Sequence, residues 1–416
     1  MNTSVCRQSD ARIRHIGRFA GRDCALSWGV GCVALALLAP LPASSETTLT
    51  LTASPEYQVN SNIYDLAPGV DAPGTTDTRH SDQYAVYRGG LAATFLQGQQ
   101  NFFLNLQGAE YRYEHFSVLD HDEYTADGGW KWKLGTSLDG TLEVTRTRTE
   151  LPFYYLLQVQ AAAVLLTEQR ETAAINYLIN PDWRLETTAY TRKVDAPLSE
   201  AENLDLKETS GNVVLRYVRN AKFTGGIGVG YLEGEYGNGV GDLAPAYHQV
   251  SPQLVSTYTV SALSAFTGQV GYTRRSSALA TDDVSTATGS LDFKRSLTGK
   301  TSIDLLASRL VSSNITNTSS EIDTQGSATI TWQATYKLAL RAGYALTTRY
   351  LPDQGELPGT NRTDHQQTTT LNVDYQILRW LTLSPYANVQ SRSSNVIDGN
   401  YNATVYGIII KGQWQK

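Results

Sequence analysis

The chain has 416 residues, 40 acidic against 34 basic, for a net charge of −6. That balance excludes the basic surface that a nucleic-acid backbone requires. All three cysteines (Cys6, Cys24, Cys32) precede residue 33, so the rest of the chain builds no disulfide, thiolate or cysteine metal site.

The first segment reads as an address. Arg7, Arg12, Arg14, Arg18 and Arg22 form a basic run, an apolar stretch follows from Cys24 to Leu41, and Pro42-Ala43-Ser44-Ser45 ends it with small residues at Ala43 and Ser45. This is the layout of a cleaved signal peptide over residues 1–45, which makes 46–416 the exported domain. Pro40 and Pro42 argue against the rival reading, a retained membrane helix. After Glu46 no run approaches the roughly 18 continuous apolar residues of a helical span. An exported chain with 24 Tyr and 34 Gly that crosses a bilayer without helices has one common solution, a closed barrel.

In chain order, apolar and polar residues alternate in segments of about ten, the period of a strand with two unlike faces. The apolar phase runs through Leu49, Leu51, Ala53, Tyr57 and Val59, then Leu185, Thr187 and Ala189, Val213 and Leu215, and Ile227, Val229 and Tyr231. It continues through Phe266, Val270 and Tyr272, Leu291 and Phe293, and Ile303 and Leu305. The last segments carry Ile330 and Trp332, Leu338 to Tyr344, Leu371, Val373 and Tyr375, Leu381 and Leu383, and Ile408 to Trp414. Gly225-Gly226-Ile227-Gly228-Val229-Gly230 has the same two-residue period and no following helix, so it reads as a strand with small inward residues rather than a phosphate loop. Leu151–Gln169 reads as an extended loop running into a strand, with a short loop helix as the alternative.

A soluble sandwich shows similar alternation, so the connections decide. Tight turns are expected near Gln97–Asn101, Gly135–Gly140, Ile179–Trp183, Arg219–Lys222, Val260–Ser264, Arg295–Lys300, Gln333–Lys337 and Gln376–Trp380. Longer polar loops lie between them, among them Asp65–Ser81, Asp195–Lys207, Gly237–Ala246 and Tyr350–Arg362. Short turns on one rim and long loops on the other predict an all-β, antiparallel up-and-down transmembrane barrel of about 16–18 strands in the outer membrane. The phase is ambiguous over Asp82–Phe95 and Phe102–Tyr113. Aromatics at expected strand ends (Tyr111, Tyr113, Trp130, Trp132, Tyr247, Trp332, Tyr336, Tyr350, Trp380, Tyr401, Tyr406) suit interfacial girdles. Long loops are acidic, and short turns carry Arg219, Lys222, Arg295, Lys300, Lys337 and Arg379, which reads as solvated surface facing lipopolysaccharide on one side. The terminal strand Tyr406 to Trp414 resembles an outer-membrane assembly signal, with Gln415 and Lys416 added.

Specific residues at both ends carry a resemblance. Tyr57-Gln58-Val59-Asn60-Ser61-Asn62-Ile63-Tyr64 opens the exported part; Asp374-Tyr375, Arg379-Trp380-Leu381-Thr382-Leu383, Arg392-Ser393-Ser394-Asn395 and Asn400-Tyr401-Asn402-Ala403 close it. They resemble β-barrel porin family 2, in particular the EpsL-like barrels encoded with exosortase polysaccharide-biosynthesis clusters. The resemblance implies passage of an exopolysaccharide across the outer membrane, with a polysaccharide chain and a periplasmic polysaccharide-export protein as partners. The bare sequence fits a general or solute-specific diffusion porin equally well.

No catalytic constellation emerges. His80, His115, His121, His248 and His365 lack metal-ligand spacing and read as solvated loop residues; no Gly-x-Ser-x-Gly is present. We therefore expect no enzyme activity, metal or cofactor. A charge facing lipid at mid-membrane costs about 2–4 kcal/mol, so the polar phase is expected to point inward: Glu143, Arg184, Glu186, Tyr190, Arg192, Arg216, Asp292, Asp304, Arg341, Arg349, Asp374, Tyr386, Asn388 and Arg392. Of these, Arg192, Arg216, Arg341, Arg349, Asp374, Tyr386 and Arg392 are the candidate substrate track. Four of its arginines (216, 341, 349 and 392) form a prospective basic stripe. The rival expectation is that these charges pair and stiffen the wall.

Overall fold

A computed structural model describes residues 45–73, 79–153, 161–197, 203–220, 222–237, 246–277, 283–313, 320–352 and 361–416. The segment expected to be a signal peptide lies, except for Ser45, outside the described residues. The strands are β1 (Ser45–Asn60), β2 (Asp82–Gln97), β3 (Gln100–Tyr113), β4 (His121–Leu134), β5 (Leu138–Glu150), β6 (Leu165–Asn180), β7 (Trp183–Pro197), β8 (Asn203–Tyr217) and β9 (Phe223–Gly237). The second half holds β10 (Ala246–Ser261), β11 (Ser264–Ser277), β12 (Val284–Ser296), β13 (Thr301–Ser313), β14 (Ser320–Gln333), β15 (Leu338–Leu351), β16 (Arg362–Leu378), β17 (Leu381–Ser394) and β18 (Tyr401–Gln415).

Each strand pairs with its neighbours in sequence, and β18 pairs antiparallel with β1, from Thr50 opposite Gln415 to Asn60 opposite Val405. The 18-stranded sheet is therefore closed and has no free edge, which satisfies every strand's backbone groups where lipid cannot. All eight expected tight turns fall between consecutive strands, from Gln97–Gln100 to Leu378–Leu381, and the long loops lie on the opposite rim. One loop differs from expectation: Asp195 and Lys207 are strand residues, because β7 and β8 stay paired out to Pro197 and Asn203.

Contacts between strands that are not neighbours identify the inner face. Glu208 on β8 accepts a hydrogen bond from Tyr247 on β10 at 2.6 Å, and Tyr386 on β17 reaches Gln58 on β1 at 2.7 Å. The registers then propagate this face around the barrel. Leu305, Ile330, Leu340 and Val373 lie on the outer face, and Asp304, Arg341 and Asp374 on the inner one. The ambiguous segments resolve too, with Tyr84, Val86 and Arg88 inward on β2 beside inward Tyr113, Tyr111 and Ala109 on β3.

The outer wall carries two aromatic levels. Phe102, Tyr177, Trp183, Tyr258, Trp332, Tyr375, Trp380 and Trp414 stand exposed near the short turns, and Tyr87, Tyr231, Tyr272, Tyr344 and Tyr406 nearer the long loops. Exposed Leu, Ile and Val fill the band between. An apolar belt between amphipathic rings is the surface a bilayer solvates, and the protein is an outer-membrane barrel. Tyr111, Tyr113, Tyr247 and Tyr401 correct the girdle expectation. They sit at strand ends but on the inward phase, so they pack inside the lumen mouth.

Candidate functional site: the lumen wall

All seven candidate track residues stand on inward-facing register positions, and their partners define the wall chemistry. Arg192 lies between Glu168 at 2.8 Å and Glu208 at 3.0 Å. Arg216 donates through Nε to both Glu186 oxygens at 3.0 Å. Arg349 is buried against Glu321 and reaches Asp323 at 3.4 Å. Asp374 accepts from Ser384 and faces Lys411 at 3.4 Å. Arg392 donates to the Gly399 carbonyl at 2.6 Å and lies over the Tyr401 ring at 5.0 Å. Arg341 is exposed between Thr331 and Asn372, with no ion pair among the described residues.

The basic stripe is therefore not present as an open row. Inward charges of opposite sign fall within reach on neighbouring strands, and pairing lowers the cost of holding them near an apolar wall. Arg216 and Arg349 are neutralised by carboxylates, Arg392 is buried against a carbonyl and a ring, and Arg341 alone of the four projects an unpaired charge.

Three arrangements went unseen in the sequence. At the loop end of β6 to β13, Glu208 also accepts from Tyr247 at 2.6 Å, and Arg275 lies over the Tyr247 ring at 4.4 Å while donating to Ser313 at 3.1 Å. Gly234 faces that ring from β9; a Cβ there would overlap it. In a round 18-stranded barrel of radius about 17 Å, β8 and β13 would stand roughly 25 Å apart. Instead the side chains of Glu208 and Ser313 touch, so this part of the rim closes on itself.

On the other side of the mouth, Arg88 pairs with Glu56 and lies 5.7 Å from the Tyr111 ring centre, while Tyr386 shares Glu56 and Gln58. Between these groups Arg170 stacks on Tyr190 at 3.8 Å. The inner wall is thus lined at several heights by guanidinium and phenol groups.

The third arrangement is the first long loop, which turns inward. Asn62 folds it, accepting from the Leu66 amide at 3.0 Å and donating to the Leu66 and Asn402 carbonyls. Tyr64 is 1% exposed, packed 5.3 Å from Phe116 and 4.9 Å from Phe153, and donates to the Ala161 carbonyl at 3.0 Å. With Ile63, Leu66 and Ala72 it covers Tyr84, Val86 and Tyr113 on the inner wall. Burial pushes the Tyr64 phenol up to about 12. Burial also pushes the neighbouring Asp65 carboxyl up to about 7, opposed by Arg392 and reinforced by Glu150.

His121 corrects the reading of the histidines as solvated. It is 7% exposed, stacked on Tyr111 at 4.4 Å, with Nδ1 2.7 Å from the Leu119 carbonyl. Its β4 register position is inward, a parity visible only once the strand phase is known. Among the described residues no group of three or more His, Cys, Asp or Glu is placed to hold a metal.

No family model and no curated protein matches the chain. Among solved structures, the chain is similar to the outer membrane protein OpdK from Pseudomonas aeruginosa, at 11% identity and a TM-score of 0.47, covering 89% of this chain and 99% of that one. It is also similar to a mutant ferric enterobactin receptor, PfeA, from the same organism, at 9% identity, a TM-score of 0.48, and coverage of 89% and 81%. OpdQ gives 11% identity, a TM-score of 0.46, and coverage of 89% and 99%.

Proposed function

We propose that this barrel is an outer-membrane channel for a hydroxyl-rich polymer and takes part in exopolysaccharide export. The observation that carries the reading is the inner wall itself. Its charges are largely paired off, while guanidinium N–H groups and tyrosine hydroxyls line it at several heights (Arg170 and Tyr190, Arg88 with Tyr111 and Tyr386, Arg275 with Tyr247). Such a surface exchanges hydrogen bonds with sugar hydroxyls and offers ring faces, without the strong fixed field that traps small ions. Arg341 is an exposed cation without an ion pair among the described residues, free to contact acidic groups on a passing chain. A periplasmic polysaccharide-export protein docks on the short-turn rim, where Arg219, Lys222, Arg295, Lys300 and Lys337 gather.

The test is a deletion strain of the native host, complemented with wild type or with Arg170→Ala/Tyr190→Ala. Export predicts loss of surface polysaccharide on deletion and partial recovery with the variant at equal barrel abundance. Normal surface polysaccharide together with altered uptake of small solutes rejects export and leaves a diffusion porin.

A further inference from the structure

Not every charge near the loop rim faces the lumen. The β5 registers that place Asp139 and Thr145 inward, bonded to Asn176 and Asp127, place Arg146 and Arg148 on the outer wall. They continue the column of Leu142 and Val144, which are 45% and 51% exposed to lipid. Two residues on one strand face stand about 7 Å apart. Eight to ten residues from the short-turn end of β5, they rise to the level of the upper tyrosines; Tyr231 is likewise eight residues from the start of β9.

Neither arginine has an ion pair among the described residues, and Arg146 Nε is buried with no acceptor. A buried N–H without a partner is uncommon and costly. The nearby acid on the outer face, Glu171, is taken by Gln169 at 2.9 Å and Thr191 at 3.5 Å. Asp195 lies two strands from Arg148 across Thr167, and Lys193 adds a further exposed cation across Gln169 from Arg146. Tyr124 faces Arg148 from β4.

We propose that Arg146 and Arg148, with Lys193 at the edge, form a binding site on the outer wall for the phosphate of a membrane-resident phosphorylated glycolipid. Two guanidiniums on one face give a phosphate monoester the bidentate donors it prefers. Their height and outward direction select a lipid headgroup over a soluble anion, because apolar wall lies directly beneath to receive acyl chains. This site is independent of what the lumen transports.

The experiment is native mass spectrometry of the purified full barrel in detergent, titrated with bis-phosphorylated lipid A or with the same lipid dephosphorylated. A surface cation contributes roughly fivefold in retention, so Arg146→Gln/Arg148→Gln is expected to weaken retention of the phosphorylated lipid by about 25-fold. Dephosphorylated lipid A should bind wild type as weakly as it binds the variant. Lys131→Gln/Lys133→Gln, on the inner phase of β4, should change nothing. Equal retention of the two lipids by wild type overturns the proposal without any variant. So does unchanged retention in the double arginine variant.

Discussion

Tyr64→Ala probes whether the inward turn of the first long loop is held by the packing described. The side chain is 1% exposed, meets Phe116 and Phe153, and donates one hydrogen bond to the Ala161 carbonyl. Truncating a buried aromatic to alanine costs about 3–5 kcal/mol. The barrel strands keep their ladders, so the loss falls on loop docking alone. At about 1.4 kcal/mol per tenfold, the lower figure shifts the docking equilibrium by roughly a hundredfold. Amide hydrogen exchange reads it at Ile63, Leu66 and Val70, whose N–H groups bond to His80, Asn62 and Ala67. Protection there should fall about a hundredfold, or to the unprotected floor, while β2 and β3 amides stay unchanged. Tyr64→Phe removes only the hydrogen bond, about 1 kcal/mol, and should lower protection about fivefold. Unchanged protection at Ile63 and Leu66 in Tyr64→Ala would refute the assignment of docking to this side chain.

Loop docking should also respond to pH. The Asp65 carboxyl, at 3.8 ordinarily and about 7 when docked, holds its proton in the docked state, so docking is strongest below about pH 4 and weakens as pH rises through 7. Conductance in planar bilayers should therefore increase between pH 5 and 8, and Asp65→Asn should flatten that rise; a slope that survives the substitution assigns it to another group. At the closed part of the rim, Glu208→Ala leaves Arg192 with one of its two carboxylates and strips an acceptor from Tyr247 and Ser313. Breaking a buried pair costs about 3–5 kcal/mol, which should lower the temperature at which the folded band disappears on unheated gels; an unchanged temperature denies the cluster a structural part.

Alternation and turn spacing in the sequence determined the barrel, all eight short turns and the outward phase of residues such as Leu305, Ile330 and Val373. They could do so because a strand's two faces differ by one residue and charge is costly on the lipid face at mid-membrane. The same parity put Arg192, Arg216, Arg341, Arg349, Asp374, Tyr386 and Arg392 on the inner wall. Their partners were not legible. Glu186 lies 30 positions before Arg216, and Glu321 lies 28 before Arg349, and only the register between strands brings such residues level. Strand-end aromatics misled for a related reason: Tyr111 and Tyr406 look alike in sequence, but one step of parity turns the first into the lumen and the second to lipid. The meeting of Glu208 with Ser313, 105 residues apart, and the inward fold of Tyr64 depend on the shape of the closed wall. A local sequence period carries no information about how a ring of strands departs from a circle, so the tertiary structure alone decided the width and lining of the mouth.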